Sequence, residues 1–122
     1  MRKYNIENYI RYKKDVEALL KKVNKPVDGD YTPLTNDEIK INFLPLVENI
    51  ARKFSTSQQA SGIMTIMDLI QEGSLGLVLA VAKLDRVMLS ESEDQEKTIK
   101  SFLSKRIKGA IRRAIDINRG NM

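Results

Sequence analysis

One long amphipathic pattern near the end of the chain constrains the fold most strongly. Between residues 99 and 115 the apolar side chains recur every three or four positions, at Ile99, Phe102, Leu103, Ile107, Ala110, Ile111, Ala114 and Ile115. This spacing places them on one face of an α-helix, whereas a half-buried strand would need alternation at every second residue. We therefore predict a long helix whose apolar face covers a core and whose other face meets water or a partner.

The beginning of the chain divides into a helix and a linker. Apolar residues at helical spacing predict an N-terminal amphipathic helix over residues 1–23. Residues 24–35 contain two prolines, a glycine and two aspartates, a composition typical of turns, so they are predicted to form a linker. Residues 36–122 then form the predicted helical domain.

Two N-terminal capping patterns predict where helices of this domain begin. Thr35 is followed three residues later by Glu38, and Thr65 by Asp68. At this spacing the threonine hydroxyl accepts a hydrogen bond from an early helical amide, and the acid lies where the helix dipole favours negative charge. Pro45 follows the first of these starts and predicts a kink or a restart.

The helix that follows Thr65 is apolar on more than one side and is predicted to be the central, most buried element, reaching to about Asp85. Gly73 and Gly76 allow a neighbouring helix to approach closely, although each costs about 1 kcal/mol of helix propensity relative to alanine.

Two polar stretches, residues 55–62 and residues 86–96, are predicted to be loops. Ser92 or a neighbour is expected to cap the last helix. Together these segments predict an all-α fold, a compact bundle of about three to four helices to which the N-terminal amphipathic helix is added.

The composition excludes most catalytic chemistry. The chain has no cysteine and no histidine, which rules out thiolate nucleophiles, Cys/His zinc sites and a histidine general base. We therefore expect no enzyme, no cofactor and no metal site. Because the longest apolar stretch is well short of a membrane span and no signal-peptide pattern is present, we expect no membrane association and a cytoplasmic location.

Positive charge is concentrated at one end. The 122 residues carry a net charge of +5, but residues 97–119 alone hold eight cations and one acid, a net charge of +7. Such an asymmetry favours a polyanionic partner, although a solvated helix face is the alternative interpretation. Five of these cations project from about three helical turns: Lys105, Arg106, Lys108, Arg112 and Arg113.

Two ordered strings carry a resemblance to a known family. The sequence Asp-Leu-Ile-Gln-Glu-Gly begins at Asp68, and Leu-Pro-Leu-Val, followed by Ile-Ala-Arg-Lys-Phe, begins at Leu44. Both resemble the second conserved region of bacterial RNA polymerase sigma factors. The resemblance implies that the protein directs bacterial core RNA polymerase to specific promoters. It also implies that the residues facing the polymerase β′ clamp helices are Asp68, Gln71, Glu72, Ser74 and Val78.

A third, weaker match concerns promoter DNA. Phe102 and the string Arg-Ile-Lys-Gly-Ala-Ile-Arg-Arg from Arg106 are similar to the promoter-melting helix of the same family. The resemblance implies that Phe102 captures an unpaired base of a minus-ten-type element, whereas its place on the apolar face would make it a core residue. The implied DNA-binding residues are Phe102, Lys105, Arg106, Lys108, Arg112 and Arg113. Acids at Asp68 and Glu72 suit a basic protein surface and repel DNA, so the two partner sides are expected to separate by charge.

The chain departs from the housekeeping pattern of that family. Lys105 and Arg106 stand where the family has adjacent tryptophans, and Gly109 and Arg112 stand where it has base-contacting polar side chains. No helix-turn-helix segment is expected in the chain, which resembles the reduced late sigma factors of tailed phages that act with a separate coactivator protein in a bacterial host cytoplasm. Two alternatives remain: a mimic of this region that regulates or inhibits polymerase, and a stand-alone basic helical DNA-binding protein.

Overall fold

The computed structural model describes residues 3–23, 29–55 and 64–118. These residues form six helices and contain no strand, which confirms the predicted all-α class. The helices are α1 (Lys3–Lys22), α2 (Asn36–Asn42), α3 (Leu44–Ser55), α4 (Ile66–Ala82), α5 (Arg86–Glu91) and α6 (Gln95–Asn118). Within the described part of the chain, no helix has the length and apolar character needed to cross a membrane.

Both predicted capping boxes are present. The Glu38 amide donates to Thr35 Oγ1 at 3.2 Å and the Thr35 amide to Glu38 Oε1 at 3.0 Å. At the start of α4, the Asp68 amide donates to Thr65 Oγ1 at 3.2 Å and the Thr65 amide to an Asp68 carboxylate oxygen at 2.9 Å. Each pair satisfies amides that have no partner inside the helix, which fixes where the helix begins.

The predicted restart at Pro45 is also confirmed. Helix α2 ends at Asn42 and α3 begins at Leu44, with Phe43 between them. Pro45 is thus the second residue of α3, a position at which a missing amide hydrogen costs no helical hydrogen bond.

Helix α4 lies at the centre of the fold, as predicted. It packs against α1, α2, α3 and α6, and its contact with α6 is the most extensive in the molecule. The largest side chains that are almost completely buried come from α2 to α6: Ile39, Val47, Leu69, Ile70, Leu77, Val81, Leu89, Ile99, Leu103, Ile107 and Ile111.

Two glycines explain why α4 and α6 lie so close together. A Cβ atom on Gly76 would lie 2.7 Å from the Cβ of Ala110, and one on Gly73 would lie 2.9 Å from Cγ1 of Val47 and 3.1 Å from Cδ1 of Ile111. These separations are shorter than van der Waals contact, so the absence of a side chain at Gly76 sets the distance between the two helices.

One predicted loop is partly helical, and the end of α4 differs from the prediction. Within residues 86–96 the chain forms α5, and α4 ends at Ala82 rather than near Asp85. Asp85 instead caps α5, accepting from the amides of Val87 at 3.0 Å and Met88 at 3.1 Å. Burial of Leu89 then holds this short helix on the core. A single buried leucine in six residues is too little periodicity to reveal a helix from sequence.

The start of α6 is capped as expected by a neighbour of Ser92. The carboxylate of Asp94 accepts from the Lys97 amide at 3.1 Å, and its carbonyl accepts from the Thr98 amide at 3.1 Å. Of the predicted loop at residues 55–62, Ser55 is the last residue of α3, and residues 56–62 lie outside the described part.

The second half of the predicted linker is attached to the helical body. Residues 24–28 lie outside the described part, whereas residues 29–35 contact Phe43 and the starts of α5 and α6. Arg86 donates to the carbonyls of Tyr31 at 3.2 Å, Thr32 at 3.0 Å and Leu34 at 2.7 Å. Gly29 has a φ of 70°, a conformation that glycine adopts without strain.

Helix α1 is held by both apolar and polar contacts. Val16 is buried, and a polar cluster joins α1 to α3. The Tyr9 hydroxyl donates to Glu48 at 3.0 Å and accepts from Arg52 at 2.7 Å, while Lys13 lies 3.7 Å from the same carboxylate. The N-terminal helix is therefore part of the packed assembly.

We expect Gly76→Ala to lower the free energy of unfolding by up to about 2 kcal/mol. The added methyl group would overlap Ala110, and overpacking of this kind costs about 1–3 kcal/mol, from which the gain of about 1 kcal/mol in helix propensity is subtracted. Urea denaturation followed by circular dichroism measures the difference.

Gly109→Ala is the matched control, because it makes the same change in α6 at a position where a Cβ has no neighbour within 4 Å. Because only helix propensity changes there, the free energy of unfolding of this variant should rise by up to about 1 kcal/mol. Equal effects of the two substitutions would contradict the close helix contact.

Candidate functional site

The outer face of α4 presents four of the five predicted polymerase-facing residues together. Asp68, Gln71 and Val78 are exposed and Glu72 is half-buried beside them. Asp68 also completes the N-terminal cap, so its carboxylate is held in place rather than free to rotate. Between and beyond these polar residues lie Leu75 and Leu79, which are 56% and 57% exposed.

The fifth residue, Ser74, lies at the edge of this face, against α1. It is half-buried beside Tyr12, whose hydroxyl approaches Ser74 without the geometry of a full hydrogen bond. Burial raises the pKa of Tyr12 above its ordinary value, and the nearby negative charge of Glu48 adds to this effect. Ser74 therefore packs against α1 in this structure.

The predicted cations lie on the exposed face of α6. All five residues are exposed in one stretch of helix: Lys105, Arg106, Lys108, Arg112 and Arg113. The guanidinium of Arg112 also lies 6.0 Å from the ring centroid of Phe54. Near the start of the same helix, Lys100 is paired with Glu96 at 3.0 Å, which reduces the free positive charge there.

The position of Phe102 is compatible with both roles considered from sequence, capture of a base and packing in the core. It is half-buried and packs against the core, while the Arg106 guanidinium lies 4.4 Å from its ring centroid. A cation over an aromatic face is a favourable contact. In this structure a base could stack on Phe102 only after Arg106 moved away.

A groove between α4 and α6 joins the two predicted surfaces. It consists of two depressions of about 330 and 260 Å³ that share Gly76, Leu79, Ala110 and Arg113 in their lining. Glu72 and Arg113 line the same depression. The acidic and basic faces are therefore neighbours across a groove, rather than separate sides as expected from charge.

A cavity that sequence reasoning missed lies beside the start of α6. It has a volume of about 440 Å³, and its lining includes Tyr31, Asn42, Asn49 and Lys100. Both side-chain polar atoms of Asn42 are buried without a hydrogen-bond partner. Burial raises the pKa of Tyr31, and Glu96 contributes further. No local pattern marks this cavity, because it forms only where the predicted linker meets α2, α3 and α6.

An unpaired buried amide is unusual, since nearly all buried polar groups in proteins have a partner. The cavity offers space, whereas the unpaired polar atoms of Asn42 are closed off from it by burial. Among the described residues no group of three or more acidic, histidine or cysteine side chains is arranged to hold a metal ion.

Comparison of the chain with models of known protein families, with curated proteins and with solved structures finds no match.

We expect Asn42→Leu to raise the free energy of unfolding by about 1–2 kcal/mol, because a buried amide without a partner carries an uncompensated desolvation cost. Asn49→Leu, at an exposed position on the same cavity, should change stability by less than about 0.5 kcal/mol. Thermal and urea denaturation of both variants measure this. A loss of stability in Asn42→Leu would show that the amide is satisfied after all.

Proposed function

We propose that this protein is a reduced sigma factor, a non-catalytic subunit that directs bacterial core RNA polymerase to specific promoters, of the late type found in tailed phages. The observation that carries the proposal is the position of the Asp-Leu-Ile-Gln-Glu-Gly sequence. Its polar residues Asp68, Gln71 and Glu72 lie together on the outer face of α4, while the leucine and isoleucine between them are buried.

The chemistry of this face supports a protein partner. Carboxylates and an amide lie beside exposed Leu75 and Val78, a mixture of charged rim and apolar centre that is typical of protein interfaces. Two carboxylates favour a basic partner surface, which the clamp helices of the polymerase would provide in this proposal.

The chemistry of α6 supports a nucleic-acid partner. Its exposed cations are within one stretch of helix, and phosphate contacts need only reach and charge. Arg106 over the ring of Phe102 adds an aromatic group close to these cations. Aromatic side chains and cations together are the usual means by which proteins bind unpaired strands.

The cavity at Asn42 extends this surface. Lys100 and Glu96, which are paired at 3.0 Å, line it together with Tyr31 and Asn49, so the cavity offers space for a base rather than a site for a phosphate. In this proposal the cavity, together with Phe102, holds unpaired bases of a melted minus-ten-type element.

A second candidate is a protein that occupies the clamp helices without starting transcription. The observation that favours it is the covered ring of Phe102, together with the absence of tryptophan from the chain. Under either candidate the protein acts in the bacterial host cytoplasm, and a separate coactivator protein completes promoter selection under the first.

Size-exclusion chromatography with purified bacterial core polymerase, followed by transcription from candidate late promoters with that complex, separates the candidates. Co-migration with specific transcripts supports the sigma factor. Co-migration without transcripts, even with the coactivator added, favours the inhibitor. Failure to co-migrate with polymerase, combined with salt-dependent DNA binding, would leave a stand-alone DNA-binding protein.

Glu72→Lys should abolish co-migration with core polymerase, because it places a cation at the centre of the face proposed to meet a basic surface. Glu91→Lys makes the same charge change at an exposed position on α5 and should leave co-migration unchanged. Circular dichroism verifies that both variants fold. Normal association of Glu72→Lys would remove α4 from the proposed interface.

Replacing Arg112 and Arg113 together by alanine should weaken binding to promoter DNA. It should also reduce the magnitude of the slope of log affinity against log salt by about 1–2, because fewer counterions are released from the DNA when fewer phosphates are contacted. Lys14 and Lys21 are exposed on α1, and their double replacement by alanine removes the same charge elsewhere. Fluorescence anisotropy across a salt series compares the two variants. Equal slopes would exclude this part of α6 from the DNA-binding surface.

A further inference from the structure

The groove between α4 and α6 has features that a nucleic-acid partner does not explain. Three aliphatic side chains on its margins are largely exposed: Leu75 at 56%, Leu79 at 57% and Ile117 at 57%. Exposed aliphatic side chains that cluster around a groove are typical of a site where another protein segment binds. A phosphate backbone offers no apolar surface that would remove them from water.

The charge of the groove indicates the kind of segment. Four cations line it, Lys83, Lys105, Arg106 and Arg113, whereas Glu72 is the only acid among its lining residues. A segment that covers the aliphatic side chains and carries acids on both flanks would remove the aliphatic groups from water and pair its acids with the cations.

The dimensions of the groove favour a helix. Along α4 its lining extends from Glu72 to Lys83, the residue after the last one of the helix, which spans about 17 Å at 1.5 Å per residue. A helix of about 12–15 residues is about 18–22 Å long, enough to cover this length, and presents apolar residues every three or four positions. An extended peptide would instead leave its backbone unpaired, because the described residues offer no sheet edge.

We propose that the groove between α4 and α6 binds an acidic amphipathic helix of a partner protein. The apolar face of this helix covers Leu75, Leu79 and Ile117, and its flanking carboxylates pair with the four cations.

One consequence concerns DNA and rests on the proposed function. Lys105, Arg106 and Arg113 belong both to this groove and to the proposed DNA-binding face of α6. A bound acidic helix neutralises them and covers part of that face. The partner and promoter DNA therefore exclude one another. Because Glu72 and Leu75 line the groove and also belong to the proposed polymerase-facing surface, the bound helix excludes polymerase from that part of α4 as well.

The test uses a synthetic amphipathic peptide of about 14 residues with leucines on one face, glutamates on both flanks and a single tryptophan on the apolar face. Because the protein contains no tryptophan, the peptide's fluorescence reports binding to the full chain directly. Saturable binding is expected, and Leu79→Glu should weaken it by about tenfold or more, since it buries a carboxylate against the leucines of the peptide, between its flanking glutamates.

Val87→Glu is the matched control, because Val87 is 66% exposed on α5 and does not line the groove. It should bind the peptide like the unaltered protein. A scrambled peptide of the same composition tests for attraction by charge alone. The proposal is overturned if the scrambled peptide binds equally well, or if Leu79→Glu binds as tightly as the unaltered protein.

Two further outcomes would assign the groove to a different occupant and overturn the proposal. Self-association seen by sedimentation and lost in Leu79→Glu would show that a second copy occupies it. A single-stranded oligonucleotide whose binding falls in Leu79→Glu, with no peptide binding, would assign it to nucleic acid. Absence of polymerase or DNA binding contradicts only the proposed function, because the peptide measurement requires neither.

Discussion

The contact between α4 and α6 is the constraint on which the rest of the structure depends. It is the most extensive contact between helices, and its closeness depends on Gly76, where a Cβ would lie 2.7 Å from that of Ala110. Gly73 allows the same approach toward Val47 on α3. The helix-propensity cost of two glycines is offset by the tightly packed apolar side chains that the close approach brings together, among them Leu77 and Ile107.

This contact also determines how the candidate surfaces are arranged. Because α4 and α6 lie side by side, the polar face of α4 and the cationic face of α6 become two margins of one groove. Glu72 and Arg113 contribute to the same depression. A partner that binds either helix therefore influences the other, which is why both proposals involve Arg113 and its neighbours. The sequence showed two chemically distinct faces, and only their packing shows that these faces are adjacent.

Local patterns predicted most of the helices, for identifiable reasons. The capping boxes at Thr35 and Thr65 and the proline at position 45 act within one or two helical turns, so their effect survives in any tertiary context. The short helix α5 was missed because its stability comes from burial of Leu89 and from Asp85, not from a repeated pattern. The attachment of residues 29–35 was missed for a similar reason, since Arg86 reaches them from more than 50 positions away in the chain.

The sequence by itself determined the all-α class, the positions of the main helices and the residues on the exposed faces of α4 and α6. Helical periodicity and capping are local, so they can be recognised without knowing the fold. Only the tertiary structure decided that Ser74 packs beside α1 and that Asn42 lies unpaired beside a cavity. Both features join segments distant in sequence and depend on the packing of side chains around a common core, which periodicity does not encode.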